Sequence, residues 1–338
     1  MPREKILVIK PSSLGDVVHT LPAVGAVRDA HPQAEITWLI NPEWAPLLRG
    51  NRDIDHVHIF PRSQFRGLGA ATRLLPWIRR TRRLQPDIAL DFQGLLRSAL
   101  IAKASGAKQV LGLSDAREGS RLFYDETAQV DRTQHAVDRY LQLAKLFGAN
   151  LDQPLRFPLP TGDALPRFDP EPRFVVLHPH ARGRRKSLSR SVILEFCRAL
   201  APTRVVVVGQ SRRRFSPPEN CIDLTNRTTL LQLVWLIHNA AYVISVDSGP
   251  MHIAAALTAN LASIHTWSDP RRVGPRNAAA SIWKNGKLLR VSDLHPAMDL
   301  RKSRKFRRDD VKPVAELAMK ALARPIIPSF ARNDEIAE

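Results

Sequence analysis

The chain has 338 residues, 44% of them apolar and 25% charged, a length that suits two domains and a balance that suits globular packing rather than disorder. No apolar run approaches the ~20 residues needed to span a bilayer, and the first residues lead into a strand-like segment rather than the apolar core of a secretory signal, so the expected compartment is the cytoplasm. Lys and Arg number 51 against 32 Asp and Glu, a formal net charge of +19, and such an excess points to an acidic partner.

Residues 6–10 read as a first strand, running into Pro11-Ser12-Ser13-Leu14-Gly15-Asp16. Val17, Leu21, Val24 and Val27 then recur at helical spacing until Asp29 and His31 close the helix before Pro32. The helix is expected to begin about Val17, which fixes Asp16 at a strand-to-helix turn; a helix-capping or first-turn acid is the plainer explanation of that residue. Residues 36–40, 56–60, 88–92 and 110–113 are further strand-like runs, each followed by a turn and a helix-like stretch. This is the rhythm of a parallel sheet assembled from βαβ units. Between the third and fourth runs, Arg62, Arg66, Arg73, Arg79, Arg80, Arg82 and Arg83 occur with no acid until Asp87. The stretch 73–83 also carries Leu74, Leu75, Trp77 and Ile78, which fits either an interfacial amphipathic helix or a core-packed helix with a basic outer face.

Residues 151–173 change character, with Pro154, Pro158, Pro160, Pro166, Pro170 and Pro172, as a linker would. Strand-like runs resume at 174–177, 205–208, 242–246 and 261–266. The expected organisation is an N-terminal domain over 1–155, a linker over 156–172, a C-terminal domain over 173–310, and a C-terminal helix and tail over 311–338. Two open sheets of this kind place ligands in the cleft outside their strand C-termini. There the second half offers His178-Pro179-His180 and then the basic loop Arg182-Gly183-Arg184-Arg185-Lys186, which could grip a phosphate or be simply a solvated loop. Further basic groups fall at 212–214 and 301–308.

The densest turn is Asp247-Ser248-Gly249-Pro250-Met251-His252, between an apolar run and a helical stretch. Free N–H groups and the positive end of a helix dipole favour an anion there, and Gly249 would let the backbone approach it closely. An ordinary capped helix, with Asp247 or Ser248 as N-cap and Pro250 in the first turn, explains the same residues. Cys197 and Cys221 have no metal-ligand spacing and read as buried small hydrophobes. A nucleic-acid partner is not expected, since aromatic residues make up only 6% and no recognition motif accompanies the arginines; an anionic membrane surface accounts for the charge as well. No G-x-G-x-x-G follows the first strand, which speaks against a dinucleotide oxidoreductase.

Taken jointly, Lys5-Ile6-Leu7-Val8-Ile9-Lys10-Pro11-Ser12-Ser13-Leu14-Gly15-Asp16-Val17-Val18-His19-Thr20-Leu21-Pro22 and Ser245-Val246-Asp247-Ser248-Gly249 with His252 resemble the heptosyltransferases of lipopolysaccharide-core assembly, glycosyltransferase family 9, above all their heptosyltransferase I branch. Asp91-Phe92-Gln93-Gly94-Leu95-Leu96-Arg97-Ser98, Ala116-Arg117-Glu118, His135-Ala136-Val137-Asp138-Arg139 and Trp267-Ser268-Asp269-Pro270 support the resemblance. It implies an α/β GT-B fold, two Rossmann-like domains with parallel sheets facing across a cleft. It further implies inverting, metal-independent transfer of heptose from ADP-L-glycero-D-manno-heptose to the Kdo region of a lipid A-linked core, with no cofactor. On this resemblance Asp16 is the general base; Ser13, Lys186, Gln210, Asp247, Ser248, Gly249 and His252 bind the nucleotide-sugar donor; and Arg62, Arg66 and Arg117 bind the anionic lipid-linked acceptor. The pattern departs from the family at Ala181-Arg182, where two threonines commonly precede the donor-binding lysine, and at Gln210, where a glutamate is expected at the ribose. A related transferase using another nucleotide sugar, or adding a later core heptose, is the alternative.

Overall fold

The computed structural model describes residues 3–67, 69–171, 173–183, 186–212, 215–300 and 303–324. Pro172, Arg184, Arg185, Arg213, Arg214, Arg301 and the tail 325–338 lie outside the described residues. The first half runs β1 (Lys5–Ile9), α1 (Leu14–Ala30), β2 (Glu35–Ile40), β3 (His56–Ile59), α2 (Ala70–Arg82), β4 (Ile88–Asp91), α3 (Leu96–Ala104), β5 (Gln109–Leu113), β6 (Glu126–Ala128) and α4 (Ala136–Leu146). The second runs β7 (Phe174–His178), α5 (Arg190–Ala199), β8 (Arg204–Val207), β9 (Cys221–Asp223), α6 (Leu230–Asn239), β10 (Tyr242–Val246), α7 (Gly249–Leu257), β11 (Leu261–His265), α8 (Pro270–Val273), β12 (Ser281–Lys284), β13 (Lys287–Arg290) and α9 (Val311–Leu322).

All nine expected strands are present with ends shifted by at most one residue. Apart from the edge strand β3, which is exposed at three of its four residues, they are apolar almost throughout because helices cover both sides of each sheet, as a parallel sheet requires. The first sheet has the all-parallel order β3-β2-β1-β4-β5-β6, with Ile6 opposite Ile36 on one side and Ile88 on the other. The second reads β9-β8-β7-β10-β11-β12 in the same sense, with β13 added antiparallel at its edge. Both halves therefore have Rossmann-like topology, and each reverses its strand order at one point: between β1 and β4, and between β7 and β10.

Sequence reasoning overlooked the short edge strands β6 and β9 and the β12–β13 hairpin. The hairpin turns at Asn285-Gly286, both at positive φ (52° and 83°), the dipeptide that favours such a turn. Helix α1 starts at Leu14 rather than about Val17, because Ser13 in extended conformation already serves as its N-cap. Helix α2 resolves an open choice: Trp77 and Thr81 are buried, Leu74 and Ile78 pack on the core, and the arginines point outward. It is a core-packed helix with a basic outer face. Both cysteines are free and buried, as expected.

The proline-rich stretch has no helix or strand among its described residues, yet it is docked. Arg156 donates to Asp29 (2.5 and 2.8 Å), Asp53 (2.9 and 3.2 Å) and the Gly25 carbonyl (2.8 Å), anchoring the start of the stretch to the first half. Gly162, at φ 85°, lies so close to α6 that a Cβ would come within 2.4 Å of the Trp235 nitrogen. The two halves also meet directly where α1 crosses α7. A Cβ on Gly249 would fall 2.3 Å from the Leu14 side chain, and one on Gly15 would fall 2.5 Å from the His252 ring. This contact brings the N-termini of the two helices together.

Candidate active site

The site is assembled from the ends of the strands at the two reversal points. On the first half, β1 delivers Lys10, which is 2% exposed. Its ammonium donates to the Phe92 carbonyl (2.8 Å) and the Tyr140 hydroxyl (2.7 Å). Asp16, in the first turn of α1, accepts on Oδ2 from the Ser13 N–H (3.0 Å) and the Ser13 hydroxyl (2.7 Å). On Oδ1 it accepts one long bond, from Tyr140 at 3.3 Å. Burial pushes the Asp16 carboxyl up, but Lys10 and the Ser13 hydrogen bonds outweigh it and hold the group below the ordinary carboxylate range. Asp16 is thus both the first-turn acid of its helix and an ionised carboxylate with one lightly used oxygen.

On the second half, Asp247 follows β10 and is 7% exposed. Its Oδ2 accepts from the Lys186 ammonium and the Ser268 hydroxyl, both at 2.6 Å. Burial raises its carboxyl, while His265, Lys186 and Ser268 together bring it below the ordinary value. Ser248 is the N-cap of α7; its hydroxyl lies 3.0 Å from the Val246 carbonyl, to which it donates, and 3.1 Å from His178 Nδ1. Pro250 has no N–H and the Met251 N–H is bonded to the Ser248 carbonyl (3.0 Å), so among the described residues the Ser248 and Gly249 N–H groups are what this turn offers an anion, at the positive end of the helix dipole. Among the described residues, no cluster of three or more His, Cys, Asp or Glu could hold a metal ion.

Lys186, Asp247, Ser248, Gly249 and His252 share one face, while Ser13 stands apart with Asp16 on the other side of the cleft. Gly249 has a reason the sequence did not show: the space beside its Cα is taken by Leu14. His252 is buried against His19, ring centroids 4.2 Å apart, and burial lowers its pKa. Gln210 follows β8, is exposed, and makes no side-chain hydrogen bond among the described residues.

At the turn that follows β1 a pocket opens, lined by Ser12, Asn41, Phe60, Arg62, Gln93 and Arg97. Burial first, and then the neighbouring Arg62 and Arg66, lower the pKa of Arg97 on α3, with Glu118 acting against them. The guanidinium groups of Arg62, Arg66 and Arg97 make no hydrogen bond or ion pair among the described residues, so the pocket presents uncommitted positive charge. Asn41 adds a buried Oδ1 with no hydrogen-bond partner. Arg117 is exposed, and its N–H is tied to the Gly94 carbonyl.

Sequence reasoning missed Lys10, Tyr140 and Arg97 as site residues. A lysine directly after an apolar strand and before Asp16 was a usable signal for Lys10. Tyr140 had none, since it reaches Asp16 from more than a hundred residues away. Lys284 was also missed: almost fully buried, it donates to the Ser268 carbonyl (3.0 Å) and so steadies the loop whose serine binds Asp247.

Comparison with known proteins follows the same lines. The sequence profile of glycosyltransferase family 9 (heptosyltransferase) matches residues 75–295. The chain is 30% identical over 294 residues to lipopolysaccharide heptosyltransferase 1 of Pseudomonas aeruginosa, covering 80% of this chain and 81% of that protein. It is 27% identical over 293 residues to lipopolysaccharide heptosyltransferase 1 of Salmonella typhimurium, covering 80% and 90%. Its fold is similar to that of E. coli heptosyltransferase WaaC with ADP (TM-score 0.67, 20% identity, 82% of this chain and 92% of that one). It is also similar to E. coli ADP-heptose lps heptosyltransferase II (TM-score 0.71, 22% identity, 94% and 98%).

Proposed function

The chain belongs to glycosyltransferase family 9 and is a heptosyltransferase of lipopolysaccharide-core assembly; on that premise we propose that it moves heptose from ADP-L-glycero-D-manno-heptose to the Kdo region of a lipid A-linked acceptor, with inversion and without a metal. The observation that carries this reading is the opposition of two unlike turns: an ionised Asp16 with one lightly used oxygen on one wall, and Lys186 beside the N-terminus of α7 on the other.

In the proposed step the acceptor hydroxyl attacks the anomeric carbon, the new C–O bond forms as the bond to ADP breaks, and ADP leaves with the bonding electrons. The hydroxyl proton passes to Asp16. A carboxylate held below its usual pKa is a weak base, which suits late transfer of a proton that becomes acidic only as the new bond forms. Negative charge gathers on the departing diphosphate, where Lys186 and the α7 N-terminus stabilise it without a divalent ion. Ser248 and Gly249 bind the diphosphate, Asp247 and His252 orient the sugar, Gln210 reaches the nucleotide, and Ser13 acts through Asp16. Arg62 and Arg66, with Arg117 at the rim, bind the acceptor's carboxylates and phosphates, whose geometry suits arginine forks.

The proposed location is the inner face of the cytoplasmic membrane, with anionic lipid as the surface partner. Among the described residues no helix is long and apolar enough to cross a membrane. Exposed Leu96 and Leu100 on α3 and Leu122 nearby, close to Arg97 and Arg121, support such a surface contact. The departures at Ala181-Arg182 and Gln210 favour one second reading, a different nucleotide sugar or a later core heptose.

The test is incubation of the purified protein with ADP-heptose, other nucleotide sugars, and Kdo-bearing or heptose-bearing lipid acceptors, with and without EDTA. EDTA-insensitive, inverting transfer from ADP-heptose to the Kdo acceptor is expected. Transfer from another donor alone, or only to the heptose-bearing acceptor, would replace the reading with its alternative.

A further inference from the structure

We propose that Lys10 and Tyr140 are positioning residues for the transfer step: the buried Lys10 ammonium holds the Tyr140 hydroxyl, and the pair keeps Asp16 ionised and directs the acceptor's proton to Oδ1. The inference rests on the reading of Asp16 as the base and specifies how that base is set.

The geometry is a short chain of bonds with one direction. Lys10 can only donate, and it donates to Tyr140 at 2.7 Å. The tyrosine hydrogen is therefore free to point elsewhere, and Asp16 Oδ1 lies 3.3 Å away. Oδ2 already accepts two shorter bonds from Ser13. Oδ1 keeps a spare lone pair and the weaker bond, which makes it the oxygen to receive a proton. Once that proton arrives, the nearby ammonium opposes its retention, so the base sheds it after the product leaves.

A lysine 2% exposed needs partners for its charge. The charged or titratable groups facing Asp16 and this chain are Lys10 at the end of β1; His19 on α1, whose pKa burial lowers well below the ordinary value; Tyr140 and Arg139 on α4; His252 on α7; and Asp91 and Asp115 beside Lys10. Arg139 is paired with Asp115, and burial lowers the pKa of His252. Lys10 is thus the principal positive charge acting on Asp16. The Lys10 ammonium is itself pushed down by burial, with Asp16 and Asp91 acting against that.

The test uses Lys10→Met and Tyr140→Phe in the full chain, with ADP affinity as the check that each variant folds. The Asp16 carboxyl is titrated by carbon-detected NMR, assigned by its loss in Asp16→Asn, and kcat/KM for transfer is followed against pH. An opposite charge within a few ångströms lowers a carboxyl by roughly one to three pH units. Lys10→Met should therefore raise the Asp16 midpoint by about one unit or more. Tyr140→Phe should raise it less and lower kcat several-fold with KM unchanged. The acid limb of the rate profile should move with the midpoint. A midpoint that stays put in both variants overturns the proposal and leaves the pair a packing role. A midpoint that moves while the rate profile ignores it removes Asp16 as the base, and the proposed role of the pair goes with it.

Discussion

The two halves share a strand order, so the turn from β4 into α3 and the turn from β10 into α7 occupy equivalent places, and each carries an aspartate. Asp91, the last residue of β4, is closed upon itself: Oδ1 accepts from the Gln93 and Gly94 N–H groups (2.9 and 3.2 Å), and Oδ2 accepts from Ser98 and Tyr124 (2.8 and 2.7 Å). Asp247 accepts on Oδ2 from the flexible ammonium of Lys186 and from Ser268. The same topological position thus serves structure when its carboxylate is saturated by fixed donors. On the proposed reading it serves binding when one donor belongs to a lysine side chain that can turn to a ligand. Asp16 is intermediate, with one oxygen saturated and the other nearly open.

The comparison can be broken in order of expected effect. Asp16→Ala should cost turnover about 10²-fold or more while ADP still binds; near-normal turnover would show that the open oxygen does no chemistry. Lys186→Ala should weaken ADP binding by roughly 10-fold or more, the scale of one charge-assisted hydrogen bond, and should also lower the melting temperature, because the buried Asp247 carboxylate loses its cation. Calorimetry showing unchanged ADP affinity would move the diphosphate elsewhere. Asp91→Asn should cost stability alone. It leaves buried donors unpaired at a cost of about 1–3 kcal/mol, several degrees of melting temperature for a domain of this size, with ADP affinity intact.

The smallest effect concerns pH. Burial brings His135 and His265 to about 4 and His178 to about 3, so none of these three rings should give the transfer rate an inflection between pH 5 and 8. Asp16 and Asp247 titrate below their ordinary value when folded. Each therefore contributes stability that is present above the ordinary carboxylate range and is lost as pH falls through the lowered value. A midpoint near 6.5, the ordinary histidine value, that disappears when one of these three is replaced would contradict the dry environment of that ring.

Much of the fold was legible because buried parallel strands are apolar almost throughout and stand out between turn residues. β10 shows this, with the sequence YVISV and every residue buried. Three-residue β6 and β9 were not legible, since their pairing is decided by the sheet edge beside them. At the candidate site, Asp16 and Asp247 could be singled out because each sits in a recognisable strand-to-helix turn, although the Lys186 and Ser268 partners of Asp247 lie far from it in sequence. The Asp16–Tyr140 bond could not, because it depends on how α4 packs beside α1. Gly249 was assigned a ligand-facing purpose, yet the neighbour that its missing Cβ accommodates belongs to the other half of the chain.

The Arg156 anchor makes the proline-rich stretch a short leash rather than a loose one. Arg156 is bolted to the first half and Gly162 is seated on the second, so only the stretch 157–161 spans the gap, and even pulled straight it reaches roughly 20 Å. The halves can rock but cannot drift apart. Arg49 of the first half adds an ion pair to Asp163 (2.5 Å), so any widening between the halves is limited at both ends of this short stretch.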